Sequence, residues 1–245
     1  LGTLVAGVAH EVNTPLGVSV TMASTLSSNV QAFLNKVKTG VLNRGALEQF
    51  ETESQQSLRL LESSLQQAAE LIHSFKQVAV DQTSSKRREF NLLNTLNEIV
   101  STLHHKIKRT GIKLSVDGPD DVVLDSFPGA LGQIITNLFN NAILHGFDGQ
   151  AEGEIHIRYN VIGNEVRLLF ADNGVGVAEE NINRLFDPFY TTKLGKGGSG
   201  LGLSIVHSII NDLMGGSIHV ESKIGTTFEL KLPLIAPNQK GQADE

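Results

Sequence analysis

Residues 9–17, AHEVNTPLG, put a histidine and a glutamate side by side in an apolar run, with a proline five residues after the histidine. Neutral imidazole has a lone pair available near pH 7, and a carboxylate beside its other ring N–H fixes the tautomer and raises nucleophilicity. An exposed His10 with Glu11 as partner can therefore attack a phosphoryl group approaching in line. On a helix, residue 10 lies about 200° from residues 8 and 12. If Val8 and Val12 face a seam, His10 faces outward, with Thr14 one turn on. The same residues also suit a plain surface His-Glu pair on a kinked helix. A phosphate donor elsewhere in the chain would favour the chemical reading.

Four later motifs have the types and spacing to hold one. In NLFNNA (137–142), Asn137 and Asn141 are four apart and share a helical face. Carboxamide oxygens can ligand Mg²⁺, which takes its remaining ligands from water and phosphate; a solvated asparagine face is the plainer alternative. DNGVGV (172–177) follows a strand candidate. Alone it reads as a hairpin turn, but the Asp172 carboxylate can accept an adenine amino hydrogen while Gly174 and Gly176 allow close backbone approach. FDPFYTTK (186–193) leads into LGKGGSGLGLSIV (194–206), where glycines run up to a helix start. Free N–H groups and the helix dipole favour phosphate there, although no Walker loop is present. GTTF (225–228) opens the last strand.

The elements that must position these residues fall into two parts. Residues 1–79 read as two long helices with apolar stripes: Val5, Val8, Val12, Met22, Leu26, Phe33 and Val37 on the first, Leu58, Leu61, Leu65, Ala68, Ile72, Phe75 and Ala79 on the second. KTGVLNRG (38–45) suits the turn between them. Two such helices cannot bury their stripes alone, so a homodimer forming a four-helix bundle is expected. The polar stretch VDQTSSKRREF (80–90) marks a linker. Beyond it, helices are expected over 91–107, 127–147 and 200–216, with short strands at IKLSV and DVVL and hairpins over 153–172 and 217–234. That order predicts an α+β two-layer domain. The resulting division is 1–80 helical, 81–89 linker, 90–234 α+β and 235–245 disordered tail.

Composition narrows the classes. The chain has 245 residues, a formal charge of −6 and no cysteine. Disulfides, thiolate-held metals and thiol nucleophiles are thereby excluded, and the charge argues against a nucleic-acid partner. No apolar run approaches the roughly 20 residues needed to span a bilayer. A cytoplasmic fragment is expected, with a membrane anchor still open for the full-length protein. The uncapped helical start points to a missing upstream sensor region.

Taken together and in this order, HEVNTPL, NLFNNA, DNGVGV, FDPF and GSGLGL resemble the sensor histidine kinases of two-component signalling, over residues 1 to about 234. The second domain is similar to the Bergerat-type ATPase fold of gyrase, Hsp90 and MutL. The resemblance implies an ATP-dependent, Mg²⁺-requiring protein-histidine kinase. His10 would be the phosphorylated nucleophile, Glu11 its acid/base partner, and Thr14 a residue positioning water when a partner is dephosphorylated. Asn141 would hold Mg²⁺ with Asn137 nearby, and Asp172 would select adenine in a pocket shaped by Gly174 and Gly176. The lid would run from Phe189 to Gly202, including Thr192, Lys193, Gly198, Ser199, Gly200 and Leu201, with Thr227 also at the nucleotide. The implied phosphate acceptor is an aspartate on the receiver domain of a response regulator. One departure stands out: the basic residue that many relatives carry three positions after the Mg²⁺ asparagine is Leu144 here. Lys193, Lys196 and His145 are the candidates to replace it. The competing readings are an ATP-driven clamp of the gyrase or Hsp90 kind, which leaves His10 unexplained, and a nucleotide-binding dimeric scaffold without turnover, which leaves the intact motifs unexplained.

Overall fold

The computed structural model describes residues 2–81, 86–108, 110–148, 150, 152–193 and 198–238. They form two compact units, one within residues 2–77 and one within 78–193 and 200–238.

The first unit is a helical hairpin. Helix α1 spans Gly2–Lys38 and continues through Pro15; helix α2 spans Arg44–Asp81. Gly40, at φ 71°, lets the chain reverse after α1, and the Val41 N–H returns to the Lys36 carbonyl at 3.1 Å. Asn43 Oδ1 then accepts the Ala46 N–H at 2.8 Å, capping α2. Beside the turn, Phe33 and Phe50 stack with ring centroids 4.2 Å apart.

The less exposed side of α1 runs through Val12, Pro15, Ser19, Met22, Leu26, Asn29 and Phe33, alternating in threes and fours. On α2 it runs through Phe50, Ser54, Ser57, Leu61, Ser64, Ala68 and Leu71. This departs from the expected stripes. Val37, Leu58, Leu65 and Ile72 are exposed and form part of a neighbouring stripe, because small serines line the closer side of α2. The side chains of Val5, Val8, Phe75 and Ala79 lie outside the described residues.

The second unit contains strands β1 (Arg88–Asn91), β2 (Ile112–Asp117), β3 (Val123–Ser126), β4 (Gly153–Ile162), β5 (Glu165–Asp172), β6 (Ser217–Ser222) and β7 (Thr226–Pro233). Its helices are α3 (Leu92–Lys108), α4 (Pro128–Asn141), the single turn α5 (Glu179–Ile182) and α6 (Gly202–Ser208). Five strands make a sheet in the order β2-β4-β5-β7-β6, parallel at β2–β4 and antiparallel elsewhere; β1 and β3 form a separate antiparallel pair. Alternation along β4, β5 and β7 turns Ile155, Ile157, Phe170, Phe228 and Leu230 to one face. Leu131, Ile134, Ile135, Leu138 and Phe139 of α4 recur at helical spacing and meet that face in one core. The result is the expected two-layer α+β architecture.

Three boundaries differ from expectation. The helices expected over 127–147 and 200–216 each finish in a wider π-helical turn, Ala142–Gly146 and Ile209–Leu213, and the second starts at Gly202. Asp81 is the last residue of α2 and Arg88 the first of β1, so both ends of the expected 81–89 linker have regular structure; residues 82–85 lie outside the described residues. Residues 235–238, expected in the disordered tail, pack along β3. The Ala236 N–H donates to the Asp125 carbonyl at 2.9 Å, and Arg87 Nη1 reaches Asn238 Oδ1 at 2.7 Å. Residues 239–245 are outside the described residues. Among the described residues, no helix is long and apolar enough to cross a membrane.

Candidate active site

Asp172 closes β5, the middle strand of the sheet, between Ile155 of β4 and Thr226 of β7. It is buried, and its Oδ1 accepts the N–H of Gly174 at 2.9 Å and of Thr226 at 3.2 Å. Both hydrogen bonds fall on Oδ1, so among the described residues Oδ2 is left to accept from something else. Burial pushes the carboxyl above the ordinary carboxylate range, and the two backbone N–H groups pull it partly back. That is the environment for an acceptor built to meet a polar donor.

Glycines let the chain close around it. A Cβ on Gly174 would sit 2.4 Å from the Gly146 carbonyl oxygen, and one on Gly225 would sit 1.9 Å from the carbonyl oxygen of Asp172 itself. The π turn after α4 delivers Gly146 here, and its carbonyl accepts the Val175 N–H at 2.9 Å. Ser222 ties the far side: Oγ accepts the Val177 N–H at 2.7 Å and donates to the Gly225 carbonyl at 2.9 Å. Gly176, at φ 76°, would clash with that hydroxyl if it carried a side chain.

Helix α4 carries three asparagines near its end. Asn140 Oδ1 takes Lys106 Nζ at 3.1 Å, whereas the half-buried Asn137 and Asn141 make no side-chain hydrogen bond among the described residues. Free carboxamides on one helical face fit an Mg²⁺ ion that draws its other ligands from phosphate. The start of α6 comes to the same helix, since a Cβ on Gly202 would lie 3.4 Å from Asn137 Oδ1.

Lys193 reaches the backbone at position 144. Its ammonium donates to the Leu144 carbonyl at 2.7 Å and pairs with Asp148 at 2.5 Å, so a cation is brought to the position that lacks one. His145 Nδ1 lies 3.1 Å from Thr192 Oγ1, and burial, followed by the nearby Lys193, holds its imidazole below the ordinary histidine range. Phe189, at φ 65°, is the one non-glycine residue with positive φ among the described residues, and a Cβ on Gly200 would sit 2.3 Å from its carbonyl carbon. Tyr190 next to it donates its hydroxyl to Asn181 Oδ1 at 2.5 Å, and Arg184 lies over its ring at 4.4 Å. Gly198, Ser199 and Leu201 are described without regular structure; Gly195, Lys196 and Gly197 lie outside the described residues.

The structure thus brings Asp172, Gly174 and Gly176 together, and separately His145, Thr192 and Lys193. It does not bring Thr227 to the pocket. Thr227 pairs with Ala171 on the face of β7 opposite the core, and Thr226 is the residue that reaches Asp172. The phase of the strand carries this signal, because Thr226 is in step with Phe228, Leu230 and Leu232. Gly146 and Ser222 were also missed: their roles come from neighbours distant in sequence. His10, Glu11 and Thr14 fall on α1 of the other unit. Thr14 is exposed, and the side chains of His10 and Glu11 lie outside the described residues.

The sequence profile of the family described as "Histidine kinase-, DNA gyrase B-, and HSP90-like ATPase" matches residues 128–236. The sensor protein CiaH of Streptococcus pneumoniae is 27% identical over 243 residues, which is 97% of this chain and 50% of CiaH. The chain therefore spans about half the length of that relative. Among solved structures, the catalytic domain of histidine kinase ThkA, in a nucleotide-free form, superposes with a TM-score of 0.55 at 30% identity, covering 61% of this chain and 97% of that domain. ThkA in complex with the response regulator protein TrrA matches with a TM-score of 0.59 at 24% identity, over 95% of this chain and 61% of that one. At that identity the likeness speaks for the fold. The ThkA domain is matched over almost its whole length, on the unit that encloses Asp172, and the chain belongs to the sensor histidine kinases, with their Bergerat-type ATPase domain as its second unit.

Proposed function

We propose that the chain is an ATP-dependent protein-histidine kinase that phosphorylates its own His10 and passes the phosphoryl group to an aspartate of a response regulator. The observation that carries the reading is the buried Asp172 with Oδ2 left to accept, in a chain whose first helix bears the His10-Glu11 pair earlier in the sequence. Asp172 accepts the adenine amino hydrogen, and Gly174 and Gly176 let the ring approach the backbone. Asn141, with Asn137, holds Mg²⁺, which when bound offsets the charge on the phosphates. Lys193 supplies the cation missing at Leu144, and residues 189–202 close over the phosphates. One ring nitrogen of His10 attacks the γ-phosphorus, the bond to the β-phosphate oxygen breaks, and ADP leaves. Glu11 takes the other ring N–H and stabilises the charge formed on the ring.

The exposed apolar stripes support a homodimer. Leu16, Val20, Val30, Leu34 and Val37 alternate at heptad spacing along α1 and face solvent, as do Leu58, Leu65 and Ile72 on α2. A second hairpin covering them would make the four-helix bundle. ThkA is solved with a response regulator, and a receiver domain docking beside His10, with Thr14 positioning water for the reverse hydrolysis, is carried here by analogy. We assign residues 1–80 to dimerisation and phosphotransfer and 90–234 to ATP binding, in a cytoplasmic region that receives its signal from an upstream sensor.

Incubation with γ-labelled ATP and Mg²⁺ tests this. Acid-labile, base-stable label on the protein is expected, lost in His10→Ala while nucleotide affinity is unchanged. Equal labelling of His10→Ala overturns the acceptor, and ATP hydrolysis without label would favour the clamp.

A further inference from the structure

A second concave site lies in the α+β unit, along α4 from Pro128 to Thr136, so that its two ends are about 20 Å and about 8 Å from Asn141 along the helix at 1.5 Å per residue. It is an open cavity of about 530 Å³ between α3 and the first three turns of α4, and none of its lining residues belongs to the pocket around Asp172. That volume falls in the range of small-molecule sites.

Its chemistry is that of an anion site. Helix α4 begins with Phe127, which gives no side-chain cap, and Pro128, which has no N–H. The next N–H groups, of Gly129 and Ala130, make no hydrogen bond recorded among the described residues and stand at the positive end of a 14-residue helix. Gly129 and Gly132 line the cavity without side chains to block it. Independently, Thr95 of α3 lines the same cavity while only 9% exposed, and its hydroxyl has no partner among the described residues. With no protein partner among those residues, that hydroxyl can bond to whatever enters the cavity. Lys86 and Arg88 line the mouth, and neither forms an ion pair among the described residues. Glu98 is the single carboxylate in the lining.

We propose that this cavity binds a phosphate group, free or esterified to a small molecule, through the α4 amides, the Thr95 hydroxyl and the Lys86 and Arg88 side chains. Two cations and the helix end outweigh one carboxylate for a single phosphate, which carries about −1.5 to −2 charge. Glu98 works against longer polyanions by like-charge repulsion, which restricts the class to compact monophosphates.

The test is a titration of the whole 245-residue chain, ¹⁵N-labelled, at low salt, with inorganic phosphate in one arm and glycerol 3-phosphate in the other. Saturable shifts of the Gly129 and Ala130 amides are expected, with a dissociation constant of about 1 mM or tighter in at least one arm. The tighter arm identifies the source. Thr95→Val, which keeps the side-chain shape, and Arg88→Gln, at an exposed position, should each weaken binding by about tenfold, as for a lost hydrogen bond to a charged group. Unchanged resonances of Gly146 and Gly174 in both variants would show the fold intact. Shifts that do not saturate in either arm, or wild-type affinity in Thr95→Val with those resonances unchanged, would overturn the proposal.

Discussion

Between the helices of the hairpin, the inward stripes include Ser19, Ser57 and Ser64, while Val20, Leu34, Leu65 and Ile72 stand in solvent. In the α+β unit the reverse holds: Phe139, Phe170, Phe228 and eight or more aliphatic side chains are essentially fully enclosed. Burial of large apolar groups stabilises the second unit from within, at about 25 cal/mol per Å². The hairpin leaves comparable groups unburied, and its completion depends on whatever covers them. One unit is built to hold a site still; the other is built to be finished by contact.

The contrast can be sharpened first at the pocket, where the largest effect is expected. Asp172→Asn should reduce nucleotide affinity by about 10²-fold or more, because the group facing the adenine amino hydrogen becomes a donor. Oδ1 remains for Gly174 and Thr226, so thermal melting of the unit should be unimpaired. Calorimetry and a melting curve on the same sample check both halves. The pH dependence has a definite sign. Burial raises the Asp172 pKa, and the carboxylate is the ligand-binding form, so nucleotide affinity should fall on acidification at a pH above the ordinary carboxylate range. For folding without ligand the sign reverses: a raised carboxyl pKa contributes stability at low pH that is lost as pH rises through the folded value. Asp172→Asn should remove both dependences.

The hairpin is broken differently. Leu34→Glu, on the exposed stripe, should weaken the proposed dimer by about tenfold to 10²-fold while the α+β unit keeps its nucleotide affinity. Sedimentation at several concentrations reads the first effect. A variant that sediments like the parent would mean the stripe is not the interface.

Two glycine substitutions of opposite sign place the units side by side. Gly174→Ala pushes a Cβ to 2.4 Å from the Gly146 carbonyl oxygen and should destabilise by about 1–3 kcal/mol. Gly17→Ala, inside α1 with nothing within 4 Å of its Cβ, should stabilise by about 0.5–1 kcal/mol. Denaturant midpoints measure both.

The smallest effect on assembly and ligand binding is expected at Pro15, although alanine there should straighten and stabilise the helix. The helix continues past it, and the Ser19 hydroxyl donates to the Pro15 carbonyl at 2.8 Å. Proline removes one backbone donor from the ladder, which lowers the cost of local rearrangement beside His10. Pro15→Ala should leave dimer and nucleotide binding unchanged and shift the ratio of kinase to phosphatase activity a few-fold. Wild-type values of both activities would make the proline a packing accommodation only.

Most of the α+β unit was legible in the sequence, because alternation along β4, β5 and β7 and the spacing of Leu131, Ile134, Leu138 and Phe139 are local signals. The two helices were legible for the same reason. Which stripe of α2 faces α1 was not: the serines that allow close approach have no hydropathy signal, and Leu58, Leu65 and Ile72 have a strong one. At the site, Asp172 and its glycines could be read from DNGVGV. Gly146, Ser222 and the cation at Leu144 come from contacts between residues dozens apart, and no window of sequence contains both partners.

The wide turn at Ala142–Gly146 closes with the Phe147 N–H on the Ala142 carbonyl at 2.9 Å, five residues back. Such a turn is what one inserted residue makes of an α-helix. Its consequence concerns length and not residue type. Removing a single residue from this stretch would leave a regular, fully hydrogen-bonded helix, and simple measures of stability would register little. Yet the stretch from Asn141 to Phe147 would be one residue short, so Asn141 on the helix and the Gly146 carbonyl at Val175 could not both keep their places, and the wall beside Asp172 would open. Between relatives, a one-residue gap in AILHG should therefore be far rarer than substitutions within it.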